Sequence, residues 1–138
     1  MKISLNKIIL SGLFGILFFL VIVGILNVVA NNINNPNFSS NIEFLNENVM
    51  FIVLISVIML LGNIFEILVF PFNIFYPLFN AIGGVLWVEF IFRLLALIST
   101  FIEENIYAIF EPFYVITIVF VFIVVLVVGY VNVFSRLI

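Results

Sequence analysis

Four long apolar stretches, separated by short polar or proline-containing segments, account for most of the chain. They cover residues 8–30, 49–70, 79–102 and 113–134. A helix needs about 20 predominantly apolar residues to cross the hydrocarbon core of a bilayer, and each stretch is long enough. The pattern therefore predicts an all-α, polytopic integral membrane protein, with four transmembrane helices and short loops in a single domain over residues 1–138.

Asparagine and proline set the predicted boundaries between these helices. An asparagine-rich run after Ala30 favours turns, and we expect an exposed loop that extends to Asn48. The segment Pro71–Pro77 is too short and too proline-bounded to cross a membrane, so we predict a tight turn at the interface. The third helix has an alternative end at Phe110, because no glycine or proline interrupts it before Pro112.

Composition narrows the class of protein and of site. Of the residues, 67% are hydrophobic and 8% are charged, whereas a soluble domain is about 45–50% apolar and about 25% charged. The chain has no cysteine, histidine or aspartate, which excludes disulfides, thiol nucleophiles and metal sites built on cysteine or histidine. We predict no cofactor. The formal net charge of −3 argues against binding to nucleic acid.

Three of the four cations flank the first and last helices. Lys2 and Lys7 precede the first helix and Arg136 follows the fourth, so a four-helix topology puts all three on the same side. The opposite loops carry only acidic charges, at Glu43, Glu47, Glu103, Glu104 and Glu111. Because lysine and arginine near helix ends mark the cytoplasmic side, we predict cytoplasmic termini in a cell membrane, or termini on the matrix side in the inner membrane of an organelle.

Aromatic residues give a second indication of depth. Tyr76 and Tyr130 lie near the predicted inner boundary, and Tyr107 and Tyr114 lie near the outer one. Tyrosine is enriched at both membrane interfaces, as this pattern requires. Trp87 lies inside the third helix, and we expect it to pack against a neighbour that offers a partner to its indole N–H.

An acid–base pair, Glu89 and Arg93, interrupts the third apolar stretch. The i, i+4 spacing puts both on one helix face in the favourable order, together with Ala96 and Thr100. A charge at the bilayer centre costs about 2.5–3.5 kcal/mol, so charges there face protein or water. We expect the pair near the middle of the membrane, inside the protein or at a subunit contact. The pair is an ion or proton relay, or its arginine isolates two half-channels, or it is a neutral pair that pins this helix to a neighbour or to another subunit.

A second polar stripe lies on the second helix, where Ser56, Asn63 and Glu66 share a face. Glu66 is roughly one turn from the predicted inner end, and we expect it either to extend to the interface or to pair with Lys7. At about 1.5 Å per residue, Glu66 and Arg93 lie at different depths. The prediction is that they make no direct contact.

Small residues predict where helices approach each other closely. Ser11 and Gly15 share a face of the first helix, and Gly83 and Gly84 lie on the third. In lipid, helices associate through close packing and interhelical hydrogen bonds rather than through the hydrophobic effect. These two faces are therefore the predicted docking surfaces for another helix or subunit.

Three classes of function are compatible with this pattern. The first, which we favour, is a small integral subunit of a larger membrane complex, energy-transducing complexes included. The second is a small homo-oligomeric ion or proton transporter or channel that uses Glu66, Glu89 and Arg93. A membrane enzyme is least supported, because no catalytic constellation is evident. The predicted partners are other membrane subunits or further copies of the chain, and we expect a partner or an aqueous path to complete at least one polar stripe.

Overall fold

The computed structural model describes residues 4–33, 35–102 and 105–136. Over these ranges the chain is helical, and the α-helices are α1 (Leu5–Ala30), α2 (Pro36–Ile67), α3 (Phe75–Phe101), α4 (Ile106–Phe110) and α5 (Tyr114–Ser135). Short 3-10 helices, Phe72–Ile74 and Glu111–Phe113, precede α3 and α5. Four helical segments are long and apolar enough to cross a membrane: Leu5–Ala30, Pro36–Ile67, Phe72–Phe101 and Ile106–Ser135. The predicted all-α, polytopic membrane fold is confirmed.

The predicted exposed loop up to Asn48 is wrong, because α2 begins at Pro36. The side chain of Asn35 accepts a hydrogen bond from the backbone N–H of Phe38 at 3.2 Å, which caps the first turn. Proline is favoured at the first helical position, where its missing N–H has no intrahelical partner to lose. The asparagine-rich run therefore ends α1 and also starts α2, whose 32 residues extend over about 48 Å.

The linker between α2 and α3 covers residues 68–74, three residues earlier in the chain than the predicted turn over Pro71–Pro77. After the 3-10 helix, α3 already begins at Phe75, so Pro77 lies within its first turn, where proline is tolerated. At the other end, Ile102 adopts extended backbone angles (φ −113°, ψ 139°). The alternative end of this helix at Phe110 is therefore wrong. A separate helix, α4, starts after Asn105, whose side chain accepts a hydrogen bond from the N–H of Ala108 at 3.1 Å.

The long helices form an antiparallel row in the order α1, α2, α3, α5. Extensive contacts join α1 to α2, α2 to α3, and α3 to α5. Among the residues that the structure describes, α1 packs extensively against α2 alone. The row leaves wide apolar surfaces exposed: the most apolar windows of α1 and of the α4–α5 segment are each only 6% buried. Such surfaces are those that lipid covers in a membrane protein.

Close packing between neighbours depends on small residues rather than on a large core. A Cβ atom added at Gly12 would lie 2.5 Å from a methyl carbon of Leu60, and one added at Gly129 would lie 2.6 Å from Cβ of Pro77. The first contact joins α1 to α2, and the second joins α5 to α3. Glycine at these positions lets the helices approach closely, which is how helices gain packing energy in lipid.

We call the end of the row that carries Lys7 and Arg136 the terminal end, and the end that carries Glu43 and Glu111 the loop end. Both described ends of the chain lie at the terminal end, since Lys7 and Arg136 line the same cleft. This follows from an even number of antiparallel membrane-crossing helices.

Candidate functional site

The Glu89–Arg93 pair is the centre of a polar network that joins three helices. Arg93 Nε lies 3.1 Å from Oε1 of Glu89, and Arg93 Nη1 donates to Oδ1 of Asn48 at 2.9 Å. The hydroxyl of Tyr114 donates to Oε2 of Glu89. We refer to Asn48, Glu89, Arg93 and Tyr114 as the polar network. It links α2, α3 and α5 by side-chain hydrogen bonds alone.

Each member of the network is held by its surroundings. Asn48 is buried, with 5% of its surface exposed, and its Nδ2 donates to the carbonyl of Phe44 at 2.9 Å. That bond orients the amide so that its oxygen faces the guanidinium. The guanidinium carbon of Arg93 lies 4.2 Å from the ring centroid of Phe51, a favourable cation–π distance. The ring of Tyr114 packs edge-on against Phe92, with centroids 4.9 Å apart.

The charges of the network balance within the chain. Both carboxylate oxygens of Glu89 accept a hydrogen bond, one from Arg93 and one from Tyr114. Arg93 in turn donates to a carboxylate and to an amide oxygen. Paired charges with additional hydrogen bonds are those that tolerate a low-dielectric environment. The charges of Glu89 and Arg93 are therefore paired without a partner from outside the chain.

The network lies near the loop end of the row rather than at its middle. Asn48 directly follows Glu47 in α2, and Tyr114 lies three residues after Glu111 and is the first residue of α5. Neighbouring helices are offset along the row, so a residue central in α3 is level with the start of α5.

A crevice between α2 and α3 reaches the network from the loop end. Its volume is about 700 Å³, and its wall includes Glu43, Glu47, Arg93 and Thr100. Arg93 thus forms part of the surface of an opening whose walls carry two carboxylates. The side chain of Arg93 is 43% exposed and that of Glu89 is 27% exposed, so the network is open to this crevice rather than sealed.

Glu66 pairs with the far end of the chain rather than with Lys7. Arg136 Nη2 lies 3.1 Å from Oε1 of Glu66, which ties the end of α5 to α2. Ser56, from the same predicted stripe, donates to the carbonyl of Ile52 in its own helix at 2.9 Å. Glu66 and Arg93 lie in different ion pairs at opposite ends of the row.

A cleft between α1 and α2 brings together the predicted small-residue face of α1 and the predicted polar stripe of α2. Ser11 and Gly15 form part of its α1 wall, and Ser56, Asn63 and Glu66 form part of its α2 wall. Its volume is about 1010 Å³. Nothing lies within 4 Å of a Cβ atom added at Gly15. The predicted docking face of the first helix therefore borders an open cleft at the terminal end.

The other predicted docking face is occupied within the chain. A Cβ atom added at Gly83 would lie 3.0 Å from Cγ of Met59 in α2, and one added at Gly84 would lie 3.3 Å from Cγ1 of Val121 in α5. These glycines serve internal helix packing, which leaves no free face there for another subunit. Trp87 finds its partner beside them, because its Nε1 donates to Sδ of Met59 at 3.2 Å.

One interhelical pair was not predicted from the sequence. Asn27 Nδ2 donates to Oδ1 of Asn46 at 2.8 Å, and Asn46 Nδ2 donates to Oδ1 of Asn27 at 2.7 Å. This reciprocal amide pair joins α1 to α2 near the loop end. The available signal is Asn27 itself, a strongly polar residue inside an apolar stretch, which predicts a hydrogen-bond partner on another helix.

Within the described residues, no group of three or more histidine, cysteine, aspartate or glutamate side chains is placed to hold a metal ion. The chain shows no significant match to a protein-family model, to a curated protein or to a solved structure. The structural conclusion is an integral membrane protein with four membrane-crossing helices that are joined by polar side-chain contacts.

Proposed function

We propose that this protein is a small integral subunit of a larger membrane complex, and that its polar network pins helices rather than carrying out chemistry. The observation that carries the proposal is the open row of helices. A closed four-helix bundle gives each helix two neighbours, whereas α1 packs extensively against α2 alone over the described residues.

The packing of α1 supports the need for a partner. Helix association in lipid depends on contacts, hydrogen bonds and small residues, and α1 packs extensively against one helix among the described residues. Its outward face carries large apolar side chains such as Phe14, which is 69% exposed, and Leu17, which is 62% exposed. A second protein surface against α1 would supply the packing that this chain does not.

The polar network supports a structural role. The carboxylate of Glu89 is paired with the guanidinium of Arg93, and each member of the network is hydrogen-bonded to a residue on another helix. Such a network specifies which helices pair and at which register. An energy-transducing complex is one setting for a subunit of this kind.

Photo-crosslinking in the native membrane tests the subunit proposal. A photoreactive amino acid at Leu17 should give an adduct of one defined protein mass. The same group at Val124 on α5 serves as the matched control for nonspecific capture. The adduct should survive dilution of the membrane with added lipid, because a stable complex does not depend on chance encounters.

Two outcomes would contradict the proposal. One is a monodisperse monomer in mild detergent together with lipid adducts alone at Leu17. The other is the same spectrum of adducts at Leu17 and at Val124, which would indicate random collision in the bilayer.

Ion or proton transport by a homo-oligomer is the second candidate, and a specific observation favours it. The α2–α3 crevice reaches Arg93 and Asn48 from the loop end, and the α1–α2 cleft reaches Ser56 from the terminal end. Asn48 and Ser56 are eight residues apart on α2, or about 12 Å. Two openings that approach each other from opposite ends are typical of a path with a short barrier.

A flux assay separates this candidate from the first. Vesicles that contain only the purified chain and a pH-sensitive dye should acidify on a proton gradient if the chain conducts, and Glu66→Gln, which removes a charge from the path, should slow that flux. Flux equal to that of empty vesicles would exclude transport by the chain alone and leave the subunit proposal standing.

We propose that the terminal end faces the cytoplasm, or the matrix in an organelle. The support is the segregation of charge: Lys7 and Arg136 lie at one end, whereas Glu43, Glu47 and Glu111 lie toward the other. Lysine and arginine near helix ends are retained on the cytoplasmic side.

A further inference from the structure

The cleft between α1 and α2 has two regions that differ in chemistry. Its volume of about 1010 Å³ is at the upper end of the range for small-molecule pockets, about 300–1,000 Å³. Lys7, Glu66 and Arg136 line the terminal end, and apolar side chains such as Ile16 and Leu60 line the part nearer the middle of the row. The cleft is therefore amphipathic along its length.

The charges at the terminal end of the cleft do not cancel. Arg136 is paired with Glu66 at 3.1 Å. Lys7 lies beside them in the same cleft, and its ammonium has no acidic partner within 4.0 Å among the described residues. Among the described residues of this cleft, two cations and one carboxylate leave an excess of one positive charge. An anion that accepts hydrogen bonds from an ammonium and a guanidinium fits this position.

The rest of the cleft suits a hydrocarbon chain. Gly12 and Gly15 leave the α1 wall flat, and a Cβ atom added at Gly15 would have nothing within 4 Å. The hydroxyl of Ser56 donates to its own helix, so it does not require a polar occupant. Asn63, between Ser56 and Glu66 in the sequence, is the remaining polar residue that lines the α2 wall.

From this geometry we propose that the α1–α2 cleft binds one membrane lipid with an anionic headgroup. The headgroup phosphate contacts Lys7 and Arg136, and one acyl chain lies along Gly15 and Ile16. Basic pockets between transmembrane helices are sites of this kind. The lipid adds packing surface to α1, which packs extensively against α2 alone over the described residues.

Native mass spectrometry of the detergent-purified chain tests the proposal, with phosphatidylglycerol and phosphatidylcholine of identical acyl chains as probes. We expect retention of one phosphatidylglycerol in preference to phosphatidylcholine. Lys7→Gln should reduce that preference by about five-fold, the size of effect expected for one cation near a membrane surface. Phosphatidylglycerol and phosphatidylcholine retained equally would overturn the proposal, and so would an unchanged preference in Lys7→Gln.

A matched pair of substitutions on α1 tests the location. Gly15→Leu fills the cleft and should abolish retention of either lipid. Gly24→Leu adds the same bulk to the same helix at a position outside the cleft, where nothing lies within 4 Å of an added Cβ atom, and it should bind as the unaltered chain does. Helical content measured by circular dichroism should match in the two variants.

Three results would overturn this location. They are equal loss of lipid in both variants, retention in Gly15→Leu at the level of the unaltered chain, and a bound polypeptide in place of lipid when the chain is extracted from its native membrane. The last result would assign the cleft to a partner helix.

Discussion

Removing Arg93 tests whether the polar network pins the helices. Arg93→Ala leaves the Glu89 carboxylate with Tyr114 as its hydrogen-bond donor and removes the bond to Asn48. Glu89→Ala/Arg93→Ala removes both charges together. If the pair is structural, the single change should destabilise the fold more than the double change, because the single change strands a carboxylate in a low-dielectric environment.

The exposure of the pair sets the expected magnitude. Breaking a buried ion pair by removing one partner costs about 3–5 kcal/mol, whereas an exposed pair contributes about 0–1 kcal/mol. With side chains 43% and 27% exposed, solvent screens Arg93 and Glu89 in part. We expect Arg93→Ala to lower the free energy of unfolding by about 1–2 kcal/mol, with a coupling between the two positions of about 1 kcal/mol in a double-mutant cycle.

The lone tryptophan provides the assay. Trp87 is the single tryptophan of the chain and donates to Met59 across the α2–α3 contact, so its fluorescence changes when these helices separate. Unfolding is followed as the fraction of sodium dodecyl sulfate in mixed micelles increases. Glu89→Gln is the control, since it removes the charge and keeps both the side-chain size and an acceptor for Tyr114.

Equal destabilisation by Arg93→Ala and by the double change would refute the pinning role. It would assign a specific role to Arg93 itself, and the crevice that leads to it would then become the principal candidate path. A stability of Glu89→Gln equal to that of the unaltered chain would show that shape and hydrogen bonding, rather than charge, hold the network.

Three further predictions concern the orientation of the chain, the packing of α5 against α3 and the amide pair between α1 and α2. A cysteine at Ser39 should react with an impermeant thiol reagent added outside intact cells and one at Ser135 should not; the reverse labelling would invert the proposed orientation. Gly129→Leu should lower thermal stability, because its Cβ would lie 3.0 Å from the backbone of Pro77, whereas equal melting temperatures for Gly129→Leu and Gly24→Leu would contradict this packing. Asn27→Leu should destabilise the fold by about 0.6 kcal/mol, typical of an interhelical hydrogen bond in a membrane, and no change in SDS unfolding would mean that the amide pair adds nothing.

The fold class was predictable because a bilayer leaves few solutions. Backbone groups in lipid must bond within their own segment, so four apolar stretches of sufficient length lead directly to four helices. The start of α2 was not found in this way, because the polar residues 37–48 lack the hydropathy that marks a span. Asn35 followed by Pro36 carries the signal of a capped helix start, and attention to that pair would have found it.

The candidate site was predictable only in part, because helix register is a tertiary property. Helical spacing brought Glu89 to Arg93, since both lie on one helix. Neither Asn48 nor Tyr114 could be assigned to them, because the offset between neighbouring helices depends on contacts such as Gly84 with Val121. For the same reason the expectation for Glu66 was either extension to the interface or pairing with Lys7, whereas the register of α5 brings Arg136 there.

The amide pair between α1 and α2 has a consequence for the order of synthesis. The first helix leaves the ribosome before Asn46 does, because chains are synthesised from the N-terminus. During that interval Asn27 has another acceptor, because its Nδ2 also donates to the carbonyl of Val23 in its own helix at 2.8 Å. A newly inserted α1 can therefore stand alone in lipid with one of the two amide N–H groups of Asn27 engaged. The oxygen of Asn27 remains available to select the arriving helix by its asparagine.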